Sequence, residues 1–423
     1  MEQELQDKDV RGLKHFKRLL PLLERLHDVG CERDAAGNRR LFFDDYVKLM
    51  LLYMWNPLIG SMRALQKANA IDKVFKTLGI RPFSLGSFSE APAVFEPEML
   101  KTVIGELAGE LRPLATDPRL SDIKDALTLV DGTVLTGLAG LANAAVNNTC
   151  YNTTRDGRQM HGWRVHTQLD LKTFTPSRLS VTGARNAGEQ RENNVLKKSL
   201  EAGRCYVGDC TYSDRSLLDD IVEHSSSYVM RLPESNTFEV IQERELSQED
   251  LDAGVVRDAI VRLEKPGEPG MNHTVRIVEL QVQPQPRRTR KAKPGVHTGS
   301  RHSDRLILVT CLVFLSPWLV ALIYQKRYSV ELFFRFFKQI LGMRHLLSQR
   351  AQGVEIQVYC AVIACLIIQL QTGRKPDKRT VEMMGYFFMG LASEQEVIDH
   401  LNQPDNTGAK TKVKEALWKK LGF

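Results

Sequence analysis

The chain has 423 residues, with 58 Lys and Arg against 51 Asp and Glu and a formal charge of +7. That length allows two or three domains around a large core, and the small positive excess suits an anionic partner without requiring one. The seven cysteines, at 31, 150, 205, 210, 311, 360 and 365, are odd in number, scattered and free of any CxxC pair. This argues against a disulfide framework or a zinc ribbon and points to a reduced, intracellular protein.

The segment from Met1 to Asp9 is charged and has no apolar signal region. Residues 1 to about 118 read as helical, with apolar residues at helical spacing from Leu13 to Leu26 and from Phe43 to Met54. Pro82 to Ser89 is a turn region in which Ser87 or Ser89 is a candidate cap for the next helix. Arg63, Lys67, Lys73 and Lys76 give this region basic faces, so it is either a reader of DNA or a helical scaffold.

From about residue 120 the pattern changes to alternating strands and helices. Ala126 to Asp131 is a short apolar strand that stops at Asp131-Gly132, with Leu127, Leu129 and Asp131 on one face. Gly162 to Leu171 and Ser177 to Gly183 read as the next two strands. Arg164, His166 and Asp170 take the polar positions of the first of these, as on a half-wet strand. A helix over Asn193 to Ala202 is followed by the strand Cys205 to Asp209, with Cys205, Val207 and Asp209 on one face. A helix near Ser213 to Glu223 and a strand from Ser227 complete this set. An ionised carboxylate that continues an apolar strand face is costly unless it is paired or bound to metal. Each aspartate alone also fits a turn or helix-capping residue just past a strand.

Residues 233 to about 304 interrupt the alternation with strand-like segments at Phe238, Val255 and His273. They end in a run flanked by prolines that carries Arg287, Arg288, Arg290, Lys291 and Lys293. The run reads as a solvated loop or as one that holds DNA phosphates by charge. Arg305 to Thr310 is the last strand, and Ser316-Pro317 has the composition that caps and opens a helix.

That helix carries Tyr324, Arg327, Glu331 and Lys338 at offsets of 0, 3, 7 and 14. At about 100° per residue these side chains fall within an arc of roughly 60°. A carboxylate flanked by a phenol, a guanidinium and an ammonium can hold a hard metal beside DNA phosphates, although a plain wet helix face has the same pattern. Phe333, Phe334, Phe336 and Phe337 read as core packed on the sheet. Residues 345 to 400 read as packed helices, and the eleven-residue apolar run Val358 to Ile368 is too short for a bilayer and reads as buried. The basic tail from Thr407 is a candidate for DNA or protomer contact.

Asp131-Gly-Thr, Gly208-Asp209 followed by Tyr212, and Tyr324-x2-Arg327-x3-Glu331-x6-Lys338 together resemble the DDE transposases of insertion-sequence family four and their Tyr-Arg-Glu-Lys signature. The resemblance covers roughly residues 120 to 370 and departs at Cys210-Thr211, where the family often has Arg-Gly. It implies an α/β fold: an RNase H-like catalytic core over residues 119–344, with a β-rich insertion at about 233–304. An N-terminal helical end-binding domain (1–118) and a C-terminal helical region (345–423) would flank it. It further implies that Asp131, Asp209 and Glu331 are the catalytic metal ligands for two Mg²⁺ ions roughly 4 Å apart, replaceable by Mn²⁺. Tyr324, Arg327 and Lys338 would grip DNA phosphates. The expected function is cut-and-paste transposition in the bacterial cytoplasm, at the nucleoid. A homodimer would act on double-stranded terminal inverted repeats and target DNA through a hairpin intermediate, with no part for a membrane. The alternatives are an RNase H-like nuclease that never joins strands and a domesticated, inactive DNA-binding protein.

Overall fold

The computed structural model describes residues 20–27, 37, 39–56, 58–114, 117–121, 123–136, 150–153, 159–184, 187–263, 270–281, 305–342, 346–348, 350–372, 378–388, 391–393, 395–397 and 399. The basic run at residues 287–293 and the tail from Thr407 lie outside the described residues.

The centre is a mixed sheet of ten strands: β1 (Ala126–Thr136), β2 (Cys150–Thr153), β3 (Gln159–Asp170), β4 (Thr175–Gly183), β5 (Arg204–Gly208), β6 (Ser227–Leu232), β7 (Glu239–Glu243), β8 (Val255–Arg262), β9 (Val275–Gln281) and β10 (Arg305–Thr310). β1 runs antiparallel to β3 and parallel to β5, and β5 runs parallel to β6. The far edge of β3 carries β4 and, at its N-terminal end, β2. Because β1 and β5 are covered on both faces, their side chains alternate between two cores. Leu129, Cys205 and Val207 face the larger one, and Val130 and Tyr206 face the other.

β1 does not stop at Asp131-Gly132 as the sequence pattern predicts. Thr133, Val134, Leu135 and Thr136 continue it in register with β3, from Asp131 opposite Thr167 to Thr136 opposite Gly162. Those four residues include two threonines and a valine, which suit a pleated strand, so the glycine does not end it.

The helices are α1 (Phe43–Trp55), α2 (Met62–Asn69), α3 (Asp72–Leu78), α4 (Leu85–Glu90), α5 (Met99–Gly109), α6 (Glu192–Lys197), α7 (Arg215–Glu223), α8 (Gln248–Asp252), α9 (Pro317–Gln325), α10 (Tyr328–Gly342), α11 (Ala351–Thr372) and α12 (Lys378–Phe388). Every residue of α1 is buried, and α1 and α5 pack on α11. The N-terminal helices therefore share one continuous core with the helices that follow the sheet. Ala351–Leu370 is long and apolar enough to cross a membrane, but most of that stretch is buried in this core. The Ser84 side chain caps α4 by accepting from the Ser87 amide at 2.9 Å, so Ser87 and Ser89 lie inside the helix rather than at its cap.

The strands of the insertion do not form a separate sheet. They extend the main one as β6–β10–β9–β8–β7. Arg276 is fully buried and forks onto Asp258 at 2.7 and 2.9 Å. Its Nη1 donates to the carbonyls of Leu312 and Leu315 at 2.7 and 2.6 Å. Asp250 accepts from the Trp318 amide at 2.9 Å. The insertion thus fixes the segment that enters α9. Ser316, the expected cap, makes no side-chain cap bond, because the Asp250 carboxylate satisfies the first-turn amide instead. A buried pair that is fully hydrogen-bonded like Arg276–Asp258 resists the loss of either member, typically by about 3–5 kcal/mol.

Candidate active site

β1 and β5 are parallel, with Leu129 paired to Val207. Two residues further along each strand come Asp131 and Asp209, so the register brings these carboxylates to the same level on neighbouring strands about 4.8 Å apart. Both point to the face that carries the larger core, because side chains repeat every second residue. The Asp131 carboxylate accepts from the Gly132 amide at 2.8 Å. Asp209 lies just past β5 and caps the turn Cys210–Tyr212, accepting from the Thr211 amide at 2.8 Å. The capping role and the place in the acidic row are both realised in this one residue.

The third carboxylate arrives from above. α10 packs on β1 through its buried Phe333, Phe336 and Phe337, with the Phe333 ring edge-on to Phe174 at 6.2 Å. Its first turn carries Glu331. The sequence spacing predicts one continuous helix through Tyr324, Arg327, Glu331 and Lys338, and the structure differs. α9 ends at Gln325, Lys326 and Arg327 form a turn, and α10 begins at Tyr328. Ser316-Pro317 therefore opens α9 and not the helix that bears Glu331. The break lets Arg327 turn inward: its Nη2 donates to Glu331 at 2.7 Å, and its Nη1 lies 3.8 Å from Asp131. The Tyr324 ring centroid lies 5.9 Å from the same guanidinium. Lys338 is exposed on α10, and its ammonium is close enough to feel the Asp131 charge.

Burial pushes the Asp131 carboxyl up from 3.8 to about 6; the Gly132 N–H and the Arg327 cation oppose this, while the Asp209 and Glu192 charges add to it. Three carboxylates supply only hard oxygen donors, the set that suits Mg²⁺ or Mn²⁺. A guanidinium already balances two of them, so this space takes positive charge. The donor set therefore fits a divalent ion. The three carboxylates do not converge as tightly as His27, Asp44 and Asp45, whose ligand atoms all lie within 4.8 Å of one another. That second cluster is neutralised from within by Lys48 Nζ, 2.7 Å from Asp44 and 3.5 Å from Asp45, and reads as a buried ion pair of α1.

The raised Asp131 value has a stability consequence. Between roughly pH 4 and 6 the native state holds a proton that the unfolded chain has released, so this group costs stability as pH rises through that window. Asp131→Asn cannot ionise. Without divalent ions it is expected to be more stable than the parent at pH 7, by up to about 3 kcal/mol, and equal to it near pH 4. Thermal unfolding in EDTA across this range measures the difference. Equal melting temperatures at pH 7 would show that partners fully offset the buried charge.

A model of the transposase DDE domain matches residues 124–367, more than half of the chain. The chain belongs to the DDE transposase family. A putative transposase, y4zB, of Sinorhizobium fredii (strain NBRC 101917 / NGR234) is 25% identical over 294 residues, 69% of this chain and 71% of that protein. A probable transposase for insertion sequence element IS5377 of Geobacillus stearothermophilus is 23% identical over 209 residues, 49% of this chain and 50% of that protein. Among solved structures, a cryo-EM synaptic complex of piggyBac transposase with hairpin DNA is 10% identical, with a TM-score of 0.45, covering 93% of this chain and 82% of that one.

Two polar residues near the candidate site are placed differently from the expectation of the sequence. Arg164 and His166 were expected on a half-wet strand face, but α6 covers it. His166 is buried, with its imidazole pushed down to about 4 by desolvation, and its Nε2 meets Thr182 Oγ1 at 2.8 Å. Arg164 forms an ion pair with Glu192, the buried first residue of α6. Asp170, the third of the set, instead closes the β3–β4 turn by accepting from the Lys172 and Thr173 amides at 2.8 and 3.0 Å. No local spacing signals the Arg164–Glu192 pair, because 28 residues separate its members.

Proposed function

We propose that this transposase moves DNA by a cut-and-paste route, with Asp131, Asp209 and Glu331 as its metal-binding catalytic carboxylates. The observation that carries the reading is Arg327, which links Glu331 to Asp131 in the same acidic row as Asp209. Bound divalent ions would activate the attacking water or 3′-hydroxyl and stabilise the leaving oxygen of an in-line displacement. The Tyr-Arg-Glu-Lys spacing favours family four of the insertion sequences. The strand order β4–β3–β1–β5–β6, antiparallel and then parallel, supports an RNase H-like core. The catalytic unit would span residues 119–344 and be built from this core and its β-rich insertion. Residues 1–118 would contribute end binding through exposed Arg63, Lys67 and Lys76. Two protomers would hold the two transposon ends together, and two Mg²⁺ ions would serve each site.

A pre-cleaved terminal-repeat duplex incubated with supercoiled plasmid and Mg²⁺ tests the function. Covalent joining of the 3′ end to plasmid is expected. Cleavage of uncut ends without any joining would make the protein a nuclease, and binding with neither reaction would make it a domesticated DNA-binding protein.

In this reading Tyr324, Arg327 and Lys338 hold the phosphates next to the scissile bond, with Arg327 exchanging Glu331 for phosphate when DNA arrives. Arg327→Ala and Lys338→Ala are each expected to reduce the slope of log affinity against log salt by about one. Cleavage should fall more than binding, by roughly 10–100-fold, since a shifted strand misaligns the attack. Arg327→Lys should recover little, because an ammonium cannot fork onto two oxygens. Gel shifts at several salt concentrations and single-turnover cleavage provide the comparison. Unchanged slopes with normal cleavage would return both cations to an ordinary wet surface.

A further inference from the structure

Glu192 lies outside every motif that the family resemblance covers, yet it sits directly beneath the acidic row. It is buried at the N-terminal end of α6, where it forms its ion pair with Arg164 of β3 and accepts a hydrogen bond from Tyr212. Tyr212 is itself buried and closes the turn that Asp209 caps. Glu192 also packs on the residue after Asp131: a Cβ on Gly132 would meet Glu192 Oε1 at 2.8 Å and Arg164 Nη1 at 3.5 Å. Gly208, just before Asp209, is equally tight, since a Cβ there would meet the Tyr212 ring at 2.9 Å. One carboxylate thus touches the backbone beside Asp131 and, through Tyr212, the turn beside Asp209.

We infer that Glu192, with Arg164 and Tyr212, is a positioning frame that holds the Asp131 and Asp209 carboxylates in the arrangement that binds a divalent cation. The physical argument has two parts. Gly132 directly follows Asp131, and Tyr212 closes the turn after Asp209 with its amide donating to the Asp209 carbonyl at 3.1 Å, so fixing them restrains both carboxylates. The Arg164 guanidinium is nearly buried, 16% exposed, and without Glu192 it would leave an uncompensated positive charge beside the place where a cation must bind. Glu192 therefore contributes both geometry and charge, although it is placed in a structural shell and not among the ligands. The inference rests on Asp131 and Asp209 being the metal ligands.

Mn²⁺ titration of the full chain, followed by electron paramagnetic resonance of the free ion, tests it without any DNA. Glu192→Gln is expected to weaken Mn²⁺ binding about 10–100-fold. The double variant Glu192→Gln/Arg164→Gln, which removes the stranded charge, is expected to bind at least about tenfold more tightly than Glu192→Gln alone. Tyr212→Phe, which loses one O–H and keeps the ring, is expected to weaken binding by roughly three- to tenfold. A merely structural Glu192 predicts a lower melting temperature with parental Mn²⁺ affinity in the folded variants. Parental affinity in Glu192→Gln, or a double variant no tighter than the single one, overturns the inference. If Glu192→Gln does not fold, Tyr212→Phe decides, and parental affinity there overturns it. Asp131→Asn in the same titration separates the two levels: if it keeps parental Mn²⁺ affinity, the ligand assignment itself has failed.

Discussion

Asp131→Asn, Asp209→Asn and Glu331→Gln are each expected to lower DNA cleavage by about a thousand-fold or more, while binding of terminal-repeat DNA stays within a few-fold of the parent. Each change removes one negative oxygen donor at nearly constant size. The charge stabilisation lost in an in-line phosphoryl displacement is several kcal/mol, and about 4 kcal/mol is a factor of roughly a thousand. DNA binding should survive, because phosphate contacts from cations supply most of the affinity. The three substitutions should differ in their effect on the metal-free protein. Burial raises the Asp131 carboxyl, so its asparagine variant gains stability as it loses activity. Glu331→Gln instead weakens the Arg327 contact, and with it the junction between α9 and α10. Single-turnover cleavage and gel shift on the same preparations measure both quantities. A variant that cleaves at a near-parental rate in Mg²⁺ removes that residue from the catalytic set.

Removal of divalent ions is expected to abolish cleavage completely and reversibly. EDTA should stop the reaction, and Mg²⁺ or Mn²⁺ should restore it. Ca²⁺ should restore assembly on the ends without strand cleavage, because its longer bonds and looser coordination misplace the reacting oxygens. The same titrations should show Arg327 changing partners. A divalent ion that draws in Asp131 and Glu331 competes with the guanidinium that now lies 3.8 Å from one and 2.7 Å from the other. Arg327→Ala should therefore bind Mn²⁺ at least as tightly as the parent, even though it cleaves more slowly. Full cleavage in EDTA would end the metal-dependent reading.

Much of the site was legible from local pattern. The apolar strand faces running into Asp131 and Asp209 were visible at period two, and so was the four-residue spacing around Glu331. These are short-range features, and short-range features are what periodicity reports. The same patterns misplaced boundaries wherever tertiary contacts decided them. β1 runs past Gly132 because β3 offers it partners as far as Thr136. The helix expected to run unbroken through Tyr324 and Glu331 breaks at Lys326-Arg327, where Lys326 Nζ pairs with Asp117 at 2.9 Å and Arg327 turns to Glu331 and Asp131. The cap of α9 comes from Asp250, 68 residues away, and not from the adjacent Ser316.

By itself the sequence determined the residue types that meet at the candidate site: two aspartates that continue apolar strand faces, one glutamate on a helix and cations at fixed offsets. It also determined that the run around Val358 is core. Only the tertiary structure decided that the insertion extends the main sheet and braces α9 through Arg276 and Asp250, and that the N-terminal helices share a core with α11. It alone paired Arg164 with Glu192 beneath the acidic row. The physical reason is the same in each case. A buried charge needs a partner, and that partner is found by packing at separations of tens to hundreds of residues, where neither a period of two nor one of 3.6 carries any signal.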